Sequence, residues 1–259
     1  MNRLLIGFVI ILATFSSCNL LEQAGNSDST DIVEGLKTAL EVGTDTAVAI
    51  TSMTDGYLKD ELIKISLPPE ADIIVDNISY VPGGQQLLDN VITGINRSAE
   101  DAAKSAGPIF KNAITSLTID DGLTILNGQN PASATKSYAQ FDSTAATQYL
   151  KSTTYDQLVE AFSAPINQSL GKPLVLGIST TQAWNDLTSA YNEVVNSYVG
   201  TYVLGLHEVN TDLGEYCTQK ALDGLFLKVG NEEIKIRRDP WQWISTAVGS
   251  ILTKVFGGQ

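Results

Sequence analysis

The chain is poor in the residues that most active-site chemistry uses. It holds one histidine, His207, and two cysteines, Cys18 and Cys217, in 259 residues. Zinc sites draw on several His and Cys ligands, so this supply is too small for one. A serine nucleophile would have to use His207 as its base, and no G-x-S-x-G turn occurs. Ser-x-x-Lys spacing appears at Ser133/Lys136 and again at Ser169/Lys172, in both cases without the companion S-D-N and K-T-G elements. Gly128 ahead of Lys136-Ser137 lacks the second glycine of a phosphate loop, and no calcium loop is present. The sequence therefore names no catalytic residue, no metal ligand set and no cofactor. Positive charge is scarce as well: 16 Lys and Arg stand against 29 Asp and Glu, a net charge of −13. Nucleic-acid binding begins with neutralisation of phosphates by Lys and Arg, so that partner class is disfavoured.

What is present starts at the N-terminus. Met1-Asn2-Arg3 is a short positive start, Leu4 to Phe15 is apolar apart from Gly7 and Thr14, and Ser16-Ser17 precede Cys18. Charge, a short apolar stretch and small residues in that order predict a secretory signal over residues 1–17. The apolar run is shorter than the ~20 residues needed to span a bilayer as a helix. A cysteine directly after the small residues resembles the bacterial lipobox, with Phe15 where leucine is more usual, and this resemblance implies acylation of Cys18 and cleavage before it. Two acyl chains are enough for stable anchoring.

Residues 18–29 then read as a lipidated tether. The eleven residues from Asn19 to Ser29 reach at most ~40 Å when extended. Asn19 stands where an aspartate would point to inner-membrane retention, which favours the outer membrane, periplasmic face. Cleavage removes Arg3, leaving 15 basic residues (16 less one) against 29 acidic, a net charge of −14. With Cys18 acylated, Cys217 has no disulfide partner and is expected to be a buried thiol.

Residues 30–259 predict a single all-α, multi-helix globular domain, with room for one or two very short strands. Ser29 or Thr30 and Asp31 mark a helix start, followed by Ile32, Leu36, Leu40, Ala47 and Ile50 at helical spacing. Leu88, Val91, Ile95, Ala99 and Ala102 form a clearer stripe, which Gly107-Pro108 should end or kink. Further helices are expected at 142–151, 154–170, 180–198, 212–237 and 241–256. Leu62 to Leu67, Leu174 to Ile178 and Tyr202 to Leu206 read as short strands or extended connections.

Three features are candidates for function. Asp120 and Asp121 follow Thr118 and read first as helix-start acids, with a catalytic or cation-binding carboxylate pair as the sharper reading. Trp241, Ile244, Val248, Ile251, Leu252, Val255 and Phe256 share one helical stripe; Trp243 falls off it, which makes Trp243 a possible contact for a partner or the lipid interface. Glu233 and Arg237 are spaced for a helical ion pair, so Lys235, Arg237 and Arg238 read as a solvated face.

Several stretches also resemble a bacterial family known as domain of unknown function 4197. They are Asp55-Gly-Tyr-Leu, Ile63-Lys-Ile-Ser-Leu-Pro68, Pro108-Ile-Phe with Ala113-Ile114, and Thr118-Ile-Asp-Asp with Ile125-Leu-Asn-Gly128. Ala145-Ala-Thr-Gln-Tyr149 and the most distinctive, Thr218-Gln-Lys-Ala-Leu-Asp-Gly-Leu-Phe226 running on to Glu232-Glu233 and Ile236-Arg237, complete the set. The resemblance covers most of 33–239 and implies an exported, largely helical protein with no assigned activity. The expectation is thus a membrane-anchored cell-envelope lipoprotein, attached through its lipid, that binds an envelope protein or a small apolar ligand without catalysis. A periplasmic enzyme working through Asp120 and Asp121 is the alternative, and a spacer without a ligand is a third reading.

Overall fold

The computed structural model describes residues 29–120, 122–131, 141–173 and 176–257. Cys18, the tether up to Asp28, and Asp121 lie outside them. Helix α1 (Ser29–Thr51) carries Asp31 in its first turn and buries Ile32, Leu36, Leu40 and Ala47. A connection with short turns leads through α2 (Asp72–Asp76) to α3 (Gly84–Ala103), whose expected stripe is buried throughout. The chain breaks at Lys104-Ser105, and α4 (Ala106–Ser116) follows. Pro108 lies in the first turn of α4, where amide donors have no intrahelical partner, so its missing N–H is tolerated. After α5 (Gly122–Leu126) come α6 (Ala145–Leu170), α7 (Thr180–Val195), α8 (Leu213–Arg238) and α9 (Gly249–Phe256).

Helix α8 runs antiparallel to α1. Gly43 of α1 faces Val229 and Glu232, while Tyr57, just past the end of α1, reaches Ala221. Helix α6 packs on α8, α3 on α6, and α7 on the outer side of α3; α4, α5 and α9 close the start of α1. Gly35 is what lets α9 come so near, because a Cβ there would sit 2.6 Å from a Val255 methyl. Tyr57, Tyr191, Phe110, Phe162 and Phe256 are the largest fully buried side chains of the common core. The fold is all-α, and among the described residues no helix is long and apolar enough to cross a membrane.

Four expectations change. Residues 142–151 and 154–170 belong to one helix, α6. Ser152 and Thr153 fall between the two expected stretches; their hydroxyls and that of Thr154 donate back to the carbonyls of Tyr149 and Leu150, and the helix continues through them. Of the three short pieces expected as strands or extended connections, 62–67 are a turn and an unpaired extended connection, as expected, and 174–175 lie outside the described residues, with Ile178 an isolated bridge residue; Tyr202–Leu204 instead lie in a π-helical turn (Val199–Leu204), and there is no strand among the described residues. Arg237 is not on a solvated face, since its side chain is 3 % exposed and that of Glu233 is 1 %. The tail is not one helix either. Pro240–Trp243 is a 3-10 turn, and the Trp243 carbonyl accepts from both the backbone N and Oγ1 of Thr246 before α9 begins at Gly249. This break shifts the helical phase. Trp243 is half-buried against the core, whereas Trp241 and Ile244 are 56 % and 61 % exposed.

Candidate binding groove along the eighth helix

Tyr216, Lys220, Asp223 and Leu227 recur at helical spacing and line the outer side of α8. On one side of this row lies the connection 62–69, enclosing a cavity of about 460 Å³ with Lys64, Ser66 and Lys220 at its edges. On the other lies the start of α6, where Thr147, Gln148 and Lys151 enclose a second of about 380 Å³. Asp223 and Leu227 line both, so the two hollows adjoin across the α8 ridge. Leu62 is 73 % exposed and Leu227 41 %, which puts apolar surface in water at the rim.

The wall 62–67 alternates strictly: Ile63, Ile65 and Leu67 are buried, while Leu62, Lys64 and Ser66 face out. That is the pattern of a half-buried strand, yet side chains rather than a neighbouring strand complete its hydrogen bonding. Asn96 Oδ1 accepts from Ile65 N and Asn96 Nδ2 donates to Ile65 O, each at 2.8 Å. Tyr216 O–H donates to Leu67 O at 3.0 Å, and Lys228 donates to Asp60. Burial pushes the Tyr216 phenol up, so it remains a donor.

Beneath the wall, Tyr57 O–H donates to Ala221 O at 2.8 Å, and burial raises that phenol strongly, with the Glu100 charge adding to it. Gly224 is required at this contact, because a Cβ would meet the Tyr57 ring at 2.8 Å. Glu100 accepts from the backbone N–H groups of Tyr57 and Leu58, and Arg97 bridges Glu100 and Asp55 at 2.7 and 2.6 Å. Asp55 has φ +71°, a left-handed conformation that aspartate adopts more readily than most residues.

On the α6 side, Asp223 pairs with Lys151 at 2.7 Å, and the Lys151 ammonium lies 5.1 Å from the Tyr155 ring centroid and 5.6 Å from that of Phe226. Burial, together with the Asp223 charge, pushes Tyr155 up to about 12. The groove thus offers an ion pair at its centre, lysines along its edges and leucines at its rim. Such an arrangement suits recognition of a chain segment with apolar and charged groups in alternation.

Behind the groove, Glu233 and Arg237 form a buried pair. Glu233 accepts from the N–H groups of Ala146 and Thr147 and from Thr147 Oγ1, supplying the acceptor that the start of α6 lacks. Arg237 Nε donates to Glu233 at 2.8 Å, and its Nη1 and Nη2 donate to Leu126 O and Ile125 O at the end of α5. One pair therefore joins two helix termini to α8.

The other candidates lie elsewhere. Asp120 is exposed at the edge of a broad, open hollow of about 790 Å³ beside the first turns of α1, together with Glu34, Lys37 and Glu41. Lys37 donates to Thr115 O there. His207 is exposed, away from the groove. Cys217 is fully buried and free, and burial pushes its thiol up to about 12. Among the described residues no group of three or more His, Cys, Asp or Glu side chains could hold a metal.

The stretches that carry the family resemblance converge here. Asp55–Leu58, Ile63–Pro68, Ala145–Tyr149 and Thr218–Phe226 build the groove, while Ile125–Gly128 and Glu232–Arg237 meet in the buried pair behind it. The sequence model of a family described as protein of unknown function (DUF4197) matches residues 26–257. No curated protein and no solved structure matches the chain.

Proposed function

The chain belongs to the DUF4197 family, and from the site it builds we propose a membrane-anchored cell-envelope lipoprotein whose α8 groove captures a segment of another envelope protein. Anchorage rests on the lipobox-like run ending in Cys18, with acylation there and a periplasm-facing position on the outer membrane. The observation that carries the binding role is the exposed Leu62 and Leu227 at the rim of a groove whose wall is held rigidly by Asn96 and Tyr216. A preformed open groove binds without ordering itself first, which favours recognition. Its breadth suits a peptide segment better than a small apolar molecule, for which the enclosure is too slight. Asp120, the described member of the carboxylate pair, lies at the wider hollow beside α1 and is not part of the groove.

A photoactivatable residue at Leu227 in intact cells tests the role. The reading expects one discrete crosslinked protein, lost when Lys220→Glu and Leu62→Arg are introduced. A crosslinker at Leu227 that captures nothing, or whose products are unchanged by those substitutions, would overturn it.

A further inference from the structure

Trp241 and Ile244 are each more than half exposed, next to one another on the turn that precedes α9. Their place relative to the tether follows from contacts. A Cβ at Gly257 would meet the Trp241 ring at 3.3 Å. Three residues before Gly257, the Lys254 ammonium pairs at 2.6 Å with Asp31, two residues after the first residue of α1. The exposed tryptophan thus lies on the same end of the molecule as Ser29, to which the segment from Cys18 is joined.

Charge is locally balanced. Lys235 pairs with Glu232, Arg237 with Glu233 and Lys254 with Asp31, and Arg238 is followed by Asp239. Lys235, Arg238 and Lys254 are at the surface. An exposed Trp–Ile pair on the end of the molecule that carries the tether has the chemistry of a contact with the bilayer interface, to which indole rings partition.

We infer that the edge formed by Trp241 and Ile244 lies against the bilayer that holds the Cys18 acyl chains. This rests on the anchoring proposed above. The contact fixes orientation, which a tether of up to ~40 Å alone would leave free. Helix α8 leads away from this edge at 1.5 Å per residue, so the groove around Leu227 stands roughly 15–25 Å from the headgroups.

The test uses the acylated full chain reconstituted into phosphatidylethanolamine–phosphatidylglycerol vesicles with brominated acyl chains. Trp184→Phe and Trp243→Phe leave Trp241 as the reporter. The expected result is blue-shifted, bromine-quenched Trp241 emission. Unshifted, unquenched emission from protein that sediments with the vesicles would overturn the edge while leaving the anchor standing. Absence of acyl mass on Cys18 would instead overturn the anchor. The edge is then decided on the unacylated chain: Trp241→Ser with Ile244→Ser should lower its vesicle partition by about 30-fold, and equal partition would refute it. Both side chains are exposed, so the replacements leave the core intact.

Discussion

Replacing Asn96 with alanine probes what holds the groove wall. In the native protein the carboxamide satisfies both the N–H and the C=O of buried Ile65 and also donates to Ile92 O. Alanine would leave two backbone groups of Ile65 without partners. Each unmade bond in a buried setting costs about 1–3 kcal/mol, so the seated wall would carry a penalty of about 2–6 kcal/mol. The segment could escape by detaching into water, but that would expose Ile63, Ile65 and Leu67, at roughly 1.5–3 kcal/mol each, or about 4–9 kcal/mol together. It would also break the Tyr216 bond to Leu67. Staying seated is therefore the less costly outcome, and the loss falls on global stability. Urea denaturation of Asn96→Ala should show about 2–4 kcal/mol lower stability with an unchanged slope, and the Ile65 amide should exchange faster than its neighbours. Asn96→Asp should be no better, because a carboxylate accepts from Ile65 N–H but faces Ile65 O without a proton to donate. Stability within about 0.5 kcal/mol of the native protein, with Ile65 still protected, would refute the reasoning.

Arg237→Met should cost about 3–5 kcal/mol in thermal or chemical denaturation, because it leaves the Glu233 carboxylate buried without its cation; Glu233→Leu with Arg237→Met should cost less than the sum of the two single changes. At Asp101, burial alone would raise the carboxyl, but hydrogen bonds from Lys172, Ser169 and Lys104 outweigh it and bring the pKa from 3.8 to about 2. A folded-state pKa below the unfolded one stabilises above pH 3.8 and ceases to do so as pH falls toward 2, so Asp101→Asn should flatten acid denaturation in that window by about 1–2 kcal/mol. Cys217, with its thiol pushed up by burial, should resist iodoacetamide at pH 8 in the native state and react readily in urea, as mass spectrometry would show.

The helices were legible wherever one buried face repeats along a single element. The stripe from Leu88 to Ala102 and the helix start at Asp31 are local signals, and the all-α fold follows from features of that kind. The misreadings arise where distant partners decide. Ser152–Thr154 carry cap chemistry, but Leu150, Leu158 and Phe162 bury one face of α6 on both sides of them and keep the helix whole. Arg237 looks solvated beside Lys235 and Arg238; its carbonyl partners are more than 100 residues away in sequence, at Ile125 and Leu126. Trp243 and Trp241 exchange roles because a break at Thr246 resets the helical phase, and the hydroxyl that favours the break is one residue among several polar ones. The groove itself is a juxtaposition of the 62–69 connection, α6 and α8. The stretch Thr218–Phe226 could be singled out in the sequence, but not what its outer face would meet.

The role proposed for this groove depends on where the protein sits, and the state of Cys18 tests that most directly. The measurement is the intact mass of the N-terminal peptide of the protein purified from membranes, alongside the distribution of Cys18→Ser between membrane and soluble fractions. The account predicts a chain beginning at Cys18 with acyl mass attached, and a serine variant that leaves the membrane. An unmodified residue 18, or a serine variant that sediments as the native protein does, would contradict it.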